Sequence, residues 1–436
     1  MRSLPKRAIT ATTLAAFLLT GLAACGNDSN SAAPATSTGV SAEQMPGPAT
    51  IAKVALMAKS TGNPFADIRT AAAHMPMTAD ALAAGITKAA KIKGSGTSPA
   101  AGLRAGLTQL LTEHVYLAGI AVATAYHAGA DSEAFKLAAA GLDENSKAVA
   151  AAVGSIVPKE EDGFLTGWRS HINDFVTYAV GAKTPGAKGV SMKKDAGANL
   201  KGYAKASGAF FDRITGGALP SAAVEMDFNH HIGTLKTAID SFAAGDPTAF
   251  NKLKVAADHM AGSAQVLAGG IAKATKMKGN PNDAASTLRS GLTGMLTTHV
   301  YLAGVAVFTA YTADGGLDGA AFKAAAGALD KNSVDLSKAV GSVAGKADEA
   351  VFLAVWRSHI GDFVTYAKGE ATGDEKLKDM GLANLDAYRT SSGDFFAKIT
   401  GGALPSDAVA TELIGHIETL AGAIDSLKAA LIPAAS

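Results

Sequence analysis

The chain has 436 residues, with 39 Lys and Arg against 38 Asp and Glu, so its formal net charge at pH 7 is only +1. Such a small charge gives no general attraction for nucleic acid, and we expect no nucleic-acid partner. Hydrophobic residues make up 48% and charged residues 18%, which excludes a wholly disordered protein. A single Cys excludes a disulfide framework and any site with several thiolates, so a metal would need His, carboxylate or Met ligands.

The N-terminus has the order of an export signal. Arg2, Lys6 and Arg7 precede an apolar run at 8–22, which leads to Ala23-Ala24-Cys25. These residues resemble the signal peptide and lipobox of bacterial lipoproteins, which implies cleavage after residue 24 and a lipid on Cys25. We predict a signal peptide at 1–24, a flexible tether at 25–54 and a lipid anchor at the extracytoplasmic face of the cell membrane. The alternative is an ordinary secretory signal with an incidental Cys. No later segment is predicted to cross a membrane, because Lys, Asp or His interrupts each long apolar stretch.

The remainder of the chain contains an internal repeat. The segment 114–119, His-Val-Tyr-Leu-Ala-Gly, returns at 299–304, an offset of 185 residues. The segment 168–172, Trp-Arg-Ser-His-Ile, returns at 356–360, an offset of 188. We therefore predict two homologous units, 55–244 and 245–432, each long enough to bury a core of its own.

Each unit is predicted to be entirely helical, because apolar residues recur at every third or fourth position and sustained strand-like alternation is missing. The predicted fold class is all-α, with two tandem homologous bundles of about six helices each. Pro76 is expected to kink the first helix in the first unit only. The helices of the first unit are predicted over 65–92, 103–128, 132–153, 161–180, 195–215 and 221–243.

Eight of the ten His occupy matching positions in the two units. On the second and fourth predicted helices these His lie within apolar stripes of helical spacing, so they are expected to point inward. His127 and His230 have no His counterpart and are interpreted as surface residues, with His230 as a possible assistant to its neighbour. The matching pairs are His74/His259, His114/His299, His171/His359 and His231/His416.

Carboxylates accompany two of these His at spacings of three or four residues, which place both groups on one face of a helix. Burying several His with acids is expensive unless something neutralises and orders them, and a metal ion would do so. The donor set suits iron, zinc, manganese or copper(II) better than magnesium or calcium. The predicted ligands are His74, His114, His171, Asp174, Asp227 and His231 in the first unit, and His259, His299, His359, Asp362, Glu412 and His416 in the second.

Other interpretations use the same residues. Met75 and Met77 beside His74 would favour copper(I), although Met on a helix is usually core filler. Two facing His could hold a non-covalent haem, with Tyr116, Phe175 and Trp168 lining the pocket. Alternatively, the His are core residues of a structural or adhesive module that contacts another cell-envelope protein.

A redox or oxygenase enzyme would need an open coordination position. The motifs of serine hydrolases, zinc proteases and P-loop proteins do not occur, and nucleophilic catalysis is not expected.

At His-Val-Tyr-Leu-Ala, Trp-Arg-Ser-His-Ile and the His-Met of the first helix, both units resemble a helical repeat of secreted and surface proteins from Gram-positive bacteria. The resemblance implies the repeat boundaries and an exported location, and it transfers no catalytic role. In arrangement the units are also similar to hemerythrin-like and ferritin-like bundles, but they lack the His-x-x-x-Glu and Glu-x-x-His signatures of those families. The sequence thus predicts a lipid-anchored, extracytoplasmic metal-binding protein. Each bundle would hold iron, copper or zinc, and the protein would serve in metal binding, storage or delivery, with no requirement for enzymatic turnover.

Overall fold

A computed structural model describes residues 51–432 and confirms the all-α fold class, with no strand in that range. The predicted signal peptide, Cys25 and the tether as far as residue 50 lie outside the described residues. The helices are α1 Pro64–Ala73, α2 Met75–Ala89, α3 Pro99–Ala128, α4 Glu133–Gly154, α5 Glu161–Lys183, α6 Gly186–Ile214, α7 Ser221–Ala243, α8 Ala249–Ala274, α9 Ala284–Thr312, α10 Ala320–Ala344, α11 Lys346–Thr372, α12 Glu375–Ile399 and α13 Ser406–Leu431. Short 3₁₀ helices, Pro158–Glu160 and Gly316–Asp318, precede α5 and α10.

Side-chain caps fix where several of these helices begin. The Asn63 side chain accepts hydrogen bonds from the backbone N–H groups of the first turn of α1, and Ser98 and Asp283 cap α3 and α9 in the same way. The first helix of the first repeat is broken at His74, with Pro76 in the first turn of α2. Its counterpart α8 runs without a break, which confirms the predicted difference between the repeats.

The first helix of each sequence repeat packs against helices of the other repeat. Helix α8, from the second repeat, lies against α3 and α7, whereas α1 and α2, from the first repeat, lie against α9 and α13. The packing therefore forms a first helix group, α3–α8, and a second helix group, α1, α2 and α9–α13. The limits 55–244 and 245–432 still describe the sequence repeats, but the spatial groups divide the chain elsewhere.

We call this arrangement, in which the first helix of each repeat packs in the helix group formed mainly by the other repeat, the exchange of first helices. Two matching arginines stabilise it. Arg104 on α3 donates to Pro281 O at 2.8 Å and to Gln265 Oε1 at 3.0 Å, both in the second repeat. Its counterpart Arg289 on α9 donates to Gly96 O at 2.8 Å and forms an ion pair with Asp80, both in the first repeat. The partners correspond position by position at an offset of 185, so the exchange is reciprocal.

Backbone hydrogen bonds repeat the same symmetry at the crossing point. Ala100 N donates to Lys278 O, and the corresponding Ala285 N donates to Lys93 O, each at 3.1 Å. Buried backbone groups need such partners, so these two bonds tie the crossing segments to each other.

The two helix groups share one continuous core. Helices α3 and α9 pack against each other, with the rings of Tyr116 and Tyr301 stacked at 5.3 Å and 2°. Within residues 51–432, α9 alone is long and apolar enough to cross a membrane, and 83% of its most apolar window is buried in this core. Burial of this kind is typical of the central helix of a folded domain, so the apolar character of α9 is explained by packing.

Candidate metal centre

Three imidazoles meet inside the first helix group. His114 on α3, His171 on α5 and His231 on α7 each offer one ring nitrogen, and these nitrogens lie within 4.8 Å of one another. The His114 ring centroid lies 5.4 Å from that of His171 and 6.1 Å from that of His231. The three side chains are buried, with exposed fractions of 1%, 1% and 8%. We call these residues the first His cluster.

Local sequence explains why these imidazoles face the core. On α3, His114 follows buried Leu107 and Leu111 at spacings of seven and three residues, which places the three on one face of the helix. On α5, His171 lies between buried Trp168 and Phe175 in the same manner. The apolar stripe of each helix is buried by packing, and the His is buried with it.

A second cluster of equivalent residues lies in the second helix group. It consists of His299 on α9, His359 on α11 and His416 on α13, and we call it the second His cluster. The His299 ring centroid is 5.3 Å from that of His359 and 6.2 Å from that of His416, within 0.1 Å of the corresponding distances in the first cluster. The Nε2 atoms of His299 and His359 are 3.3 Å apart.

Most of the ring nitrogens in the two clusters have no hydrogen-bond partner among the described residues. Both nitrogens of His114 are unpaired, as is Nδ1 of each of the other five imidazoles. A buried polar atom without a partner costs about 1–3 kcal/mol. Unpaired buried nitrogens are thus an unfavourable way to fill a core. In the second cluster the unpaired atoms are the Nδ1 atoms, whereas the converging Nε2 atoms of His299 and His359 lie within hydrogen-bond distance of each other.

Burial keeps the imidazoles of both clusters neutral. It lowers the pKa of His114 and His416 to about 4, and that of His231 and His359 to about 3. The pKa of His171 and of His299 is also held well below the usual value, first by burial and then by the neighbouring imidazoles. At pH 7 every ring therefore has an unprotonated nitrogen with a free lone pair, which is the form that binds metals.

Aromatic side chains enclose the clusters. In the first cluster the Trp168 ring lies 4.7 Å from His114 and 4.8 Å from His171, and Tyr203 stacks on His171 at 4.4 Å. In the second cluster Trp356 and Tyr388 take the same positions. Neither Tyr203 nor Tyr388 is among the ligands predicted from the sequence. The sequence feature that could have identified them is that every Trp and Tyr recurs at the matching position of the other repeat.

The predicted carboxylates are not part of the two His clusters. Asp174 accepts a hydrogen bond from Asn199 on α6 at 3.0 Å, and Asp362 accepts one from Asn384 on α12 at 2.9 Å. Both pairs lie at the exposed edges of their helices. Asp227 Oδ1 lies 3.2 Å from His259 Nε2, and Glu412 is half-buried one turn before His416.

The remaining predicted ligands, His74 and His259, lie at the edges of the clusters and are exchanged together with the first helices. His259 contacts Asp227 on α7, so a residue of the second repeat lies beside the first His cluster. His74 packs against Gly415 on α13, beside the second His cluster. The structure thus brings together three of the four His predicted for each repeat, and it places the fourth near the other cluster.

Because Asp174 and Asp362 lie outside the clusters, we expect the double variant Asp174→Asn and Asp362→Asn to keep the metal content of the wild-type protein. Both amide side chains can still accept a hydrogen bond from the neighbouring Asn residues. Elemental analysis of the purified variant tests this expectation. A loss of half or more of the bound metal would contradict this expectation and would indicate that these carboxylates are metal ligands.

A small apolar cavity adjoins the second His cluster. Its volume is about 30 Å³, and its lining includes His299, Ala303, Phe322 and Phe363. Pockets for cofactor-sized ligands usually have about 300–1,000 Å³, so the cavity gives no support to a haem site. Comparisons with models of known protein families, with curated proteins and with solved structures found no match for this chain.

Proposed function

We propose that each His cluster binds one transition-metal ion through three imidazole nitrogens, and that the protein holds these ions for storage or delivery. The observation that carries this proposal is the convergence of three buried imidazoles whose nitrogens have few other partners. An ordinary core His pairs its ring nitrogens with a carbonyl or a carboxylate. That explanation fits His114 poorly, since among the described residues neither of its nitrogens has a hydrogen bond of good geometry, and the nearby Asn145 side chain only partly offsets the effect of burial on its pKa.

One nitrogen–nitrogen distance in the second cluster suits a tetrahedral ion, although among the described residues only the first cluster has all three ligand nitrogens within 4.8 Å of one another. Metal–nitrogen bonds in zinc sites are about 2.0–2.1 Å long. Two such bonds from nitrogens 3.3 Å apart enclose an angle of about 107°, close to the tetrahedral value. In the first cluster the nitrogens must close in from at most 4.8 Å, which needs side-chain adjustment and no change of fold.

The charge of the donor set narrows the choice of ion. Three neutral imidazoles in an apolar core leave the full charge of the ion uncompensated, and a buried charge is costly. Copper(I) carries a single positive charge, whereas zinc, copper(II) or iron(II) would need an anionic fourth ligand such as hydroxide or chloride. The proposal is therefore a copper or zinc site, with iron as the third choice, and not a magnesium or calcium site.

Burial favours holding an ion over turning over a substrate. The six imidazoles have exposed fractions of 1–8%. Trp and Tyr rings pack against four of them, and Phe rings pack against His231 and His416. A catalytic metal needs an open position that a substrate can reach. Within this proposal the predicted lipid on Cys25 would keep the sites at the extracytoplasmic membrane surface, where they could receive or deliver metal ions.

Metal titration of the mature protein in detergent tests the proposal. We expect one ion per cluster, and a higher melting temperature with zinc or copper, because binding only to the native state stabilises it by about 2.7 kcal/mol at a free metal concentration one hundred times Kd. His114→Leu should remove one ion and His299→Leu the other, while exposed His127→Ala should remove neither. Protein that contains no metal, and whose melting temperature does not respond to zinc, copper or iron, would favour the structural or adhesive interpretation.

A further inference from the structure

A second set of His and Asp side chains, residue types that can bind metals, lies just outside the first His cluster, where α7 contacts α8. His259 Nε2 is 3.2 Å from Asp227 Oδ1, and the rings of His259 and His230 have centroids 4.2 Å apart. The Asp227 and His259 side chains have exposed fractions of 15% and 20%, and His230 is exposed. Solvent therefore reaches this set of three residues, which we call the outer set.

The outer set is present beside only one of the two clusters. In the second helix group the position of His230 is taken by Gly415, and Glu412 takes that of Asp227. The His74 ring lies directly over Gly415: a Cβ atom at 415 would be 2.7 Å from His74 Cε1. A second imidazole does not fit there without displacing His74, so the second cluster provides an internal comparison.

One helix links the outer set to the buried cluster. Asp227, His230 and His231 are at positions i, i+3 and i+4 of α7, so the two His lie one turn after Asp227 and on either side of its position around the helix. His231 points inward and belongs to the first His cluster, whereas His230 points to solvent. The outer set therefore adjoins the buried cluster along a single turn of α7.

The two sets differ in what they offer to an ion. A hydrated cation is strongly disfavoured in an apolar core, and the first cluster has no carboxylate to offset its charge. The outer set combines one carboxylate with two imidazoles at a partly exposed position, residue types that bind divalent transition metals. Its Asp227 and His259 donor atoms are 3.2 Å apart, whereas the His230 ring packs on the His259 ring and must rotate to bring a nitrogen to the same ion. An ion can thus keep some of its water at the outer set while it exchanges the rest for protein ligands.

We propose that Asp227, His230 and His259 form a loading site, which captures a divalent transition-metal ion from solvent and passes it to His231 of the first His cluster. The proposal rests on metal binding by that cluster. It assigns the loading site to both repeats jointly, because Asp227 and His230 come from the first repeat and His259 comes from the second. The first cluster should consequently fill faster than the second.

Loading kinetics with Co²⁺ test the proposal, because Co²⁺ bound to three imidazoles absorbs visible light. With the full mature protein in detergent we expect two phases of equal amplitude. His230→Ala should slow the faster phase by about tenfold or more while the final amount of bound cobalt stays the same. Alanine keeps the helix propensity of α7. Glu412→Gln, at the position of the second group that matches Asp227, should leave the faster phase unchanged. A faster phase that is unaffected by His230→Ala, or wild-type loading in one phase, would overturn the proposal.

A second variant separates this proposal from the function proposed above. His114→Leu disables the first buried cluster but leaves the outer set intact. In this background we expect one weakly bound Zn²⁺ that is lost when His230→Ala is added. If wild-type protein binds no metal at the buried clusters, the metal-binding function fails, whereas weak zinc binding that depends on His230 would still support the outer set. Absence of that weak binding from the His114→Leu protein would count against the outer set alone.

Discussion

Metal-free protein is expected to lose stability steeply as the pH falls from about 6.5 to about 4. Burial lowers the pKa of His114 and His416 to about 4 and that of His231 and His359 to about 3 in the folded protein. The unfolded chain has an ordinary His pKa near 6.5, so between these values it binds more protons than the folded chain does. The neutral imidazoles therefore contribute their full stability above pH 6.5. This contribution decreases as the pH falls from about 6.5 towards the folded-state pKa values of about 4 and 3.

The magnitude of this loss is large because six buried imidazoles contribute to it. Each imidazole lowers the free energy of unfolding by about 1.4 kcal/mol per pH unit in the middle of the range. His114 alone, whose pKa is about 4, accounts for about 3 kcal/mol between pH 6.5 and pH 4. Stabilities of ordinary domains are about 5–15 kcal/mol, so the metal-free protein should unfold in mild acid.

Urea unfolding in the presence of EDTA at pH 7, 6 and 5 measures this effect. His114→Leu removes one titrating group and should reduce the pH dependence by about 1.4 kcal/mol per unit. The exposed His127 provides the control, and His127→Ala should leave the pH dependence as it is in the wild type. If the free energy of unfolding were the same at pH 7 and pH 5, the clusters could not consist of buried neutral imidazoles.

A double-mutant cycle is expected to show strong coupling between Gly119 and Leu253, which lie in different sequence repeats. A Cβ atom at Gly119 would be only 2.3 Å from Leu253 Cδ2. Gly119→Val should therefore destabilise the protein by about 1–3 kcal/mol through overpacking, and Leu253→Ala by about 2–5 kcal/mol through loss of buried contacts. In the double variant the small residue makes room for the large one, so the combined loss should fall short of the sum by about 1 kcal/mol or more.

Ile68 provides the matched control for this cycle, because it occupies in the first repeat the position that Leu253 occupies in the second. In the structure Ile68 lies against Gly304, where a Cβ atom would be 3.0 Å from Ile68 Cδ1. We expect Gly119→Val and Ile68→Ala to be additive. Coupling of Gly119 to Ile68 in place of Leu253 would mean that the first helices are not exchanged.

The exchange bears directly on the candidate metal centre. His259 reaches Asp227 only because α8, from the second repeat, packs beside α7, from the first. Variants that loosen α8 should therefore affect the first His cluster, although their residues belong to the other repeat. A separately produced first repeat would lack α8, so the sequence repeats are not suitable units for dissecting the protein.

Local patterns in the sequence were sufficient to predict the helices and the inward-facing imidazoles. Helical periodicity depends on residues three or four positions apart, and the apolar stripes around His114 and His171 specify which face of each helix is buried. The same reasoning placed the break of the first helix next to Pro76, since proline disrupts helical hydrogen bonding locally. These features need no knowledge of which helices are neighbours.

Spacing was less informative for the carboxylates. Asp174 is three residues from His171 and shares a side of α5 with it, but a helix face extends from the core to the exposed edge. His171 lies at the buried centre of that face, and Asp174 lies at its margin beside Asn199. A residue three positions away is rotated by about 60° around the helix axis, which is enough to separate a buried ligand from a partly exposed acid.

The sequence by itself determined the all-α class, the duplication and the inward orientation of the His on the second and fourth helices of each repeat, because each follows from periodicity or from direct repetition. The tertiary structure alone decided which first helix completes which group. The two first helices are homologous and present similar apolar faces, so each would fit either site by local criteria. The choice is fixed by contacts between residues far apart in the chain, such as those of Arg104 with Gln265 and of Arg289 with Asp80. The same choice brings His259 to Asp227 and His230, because the packing of the apolar face of a helix determines where its polar side chains lie.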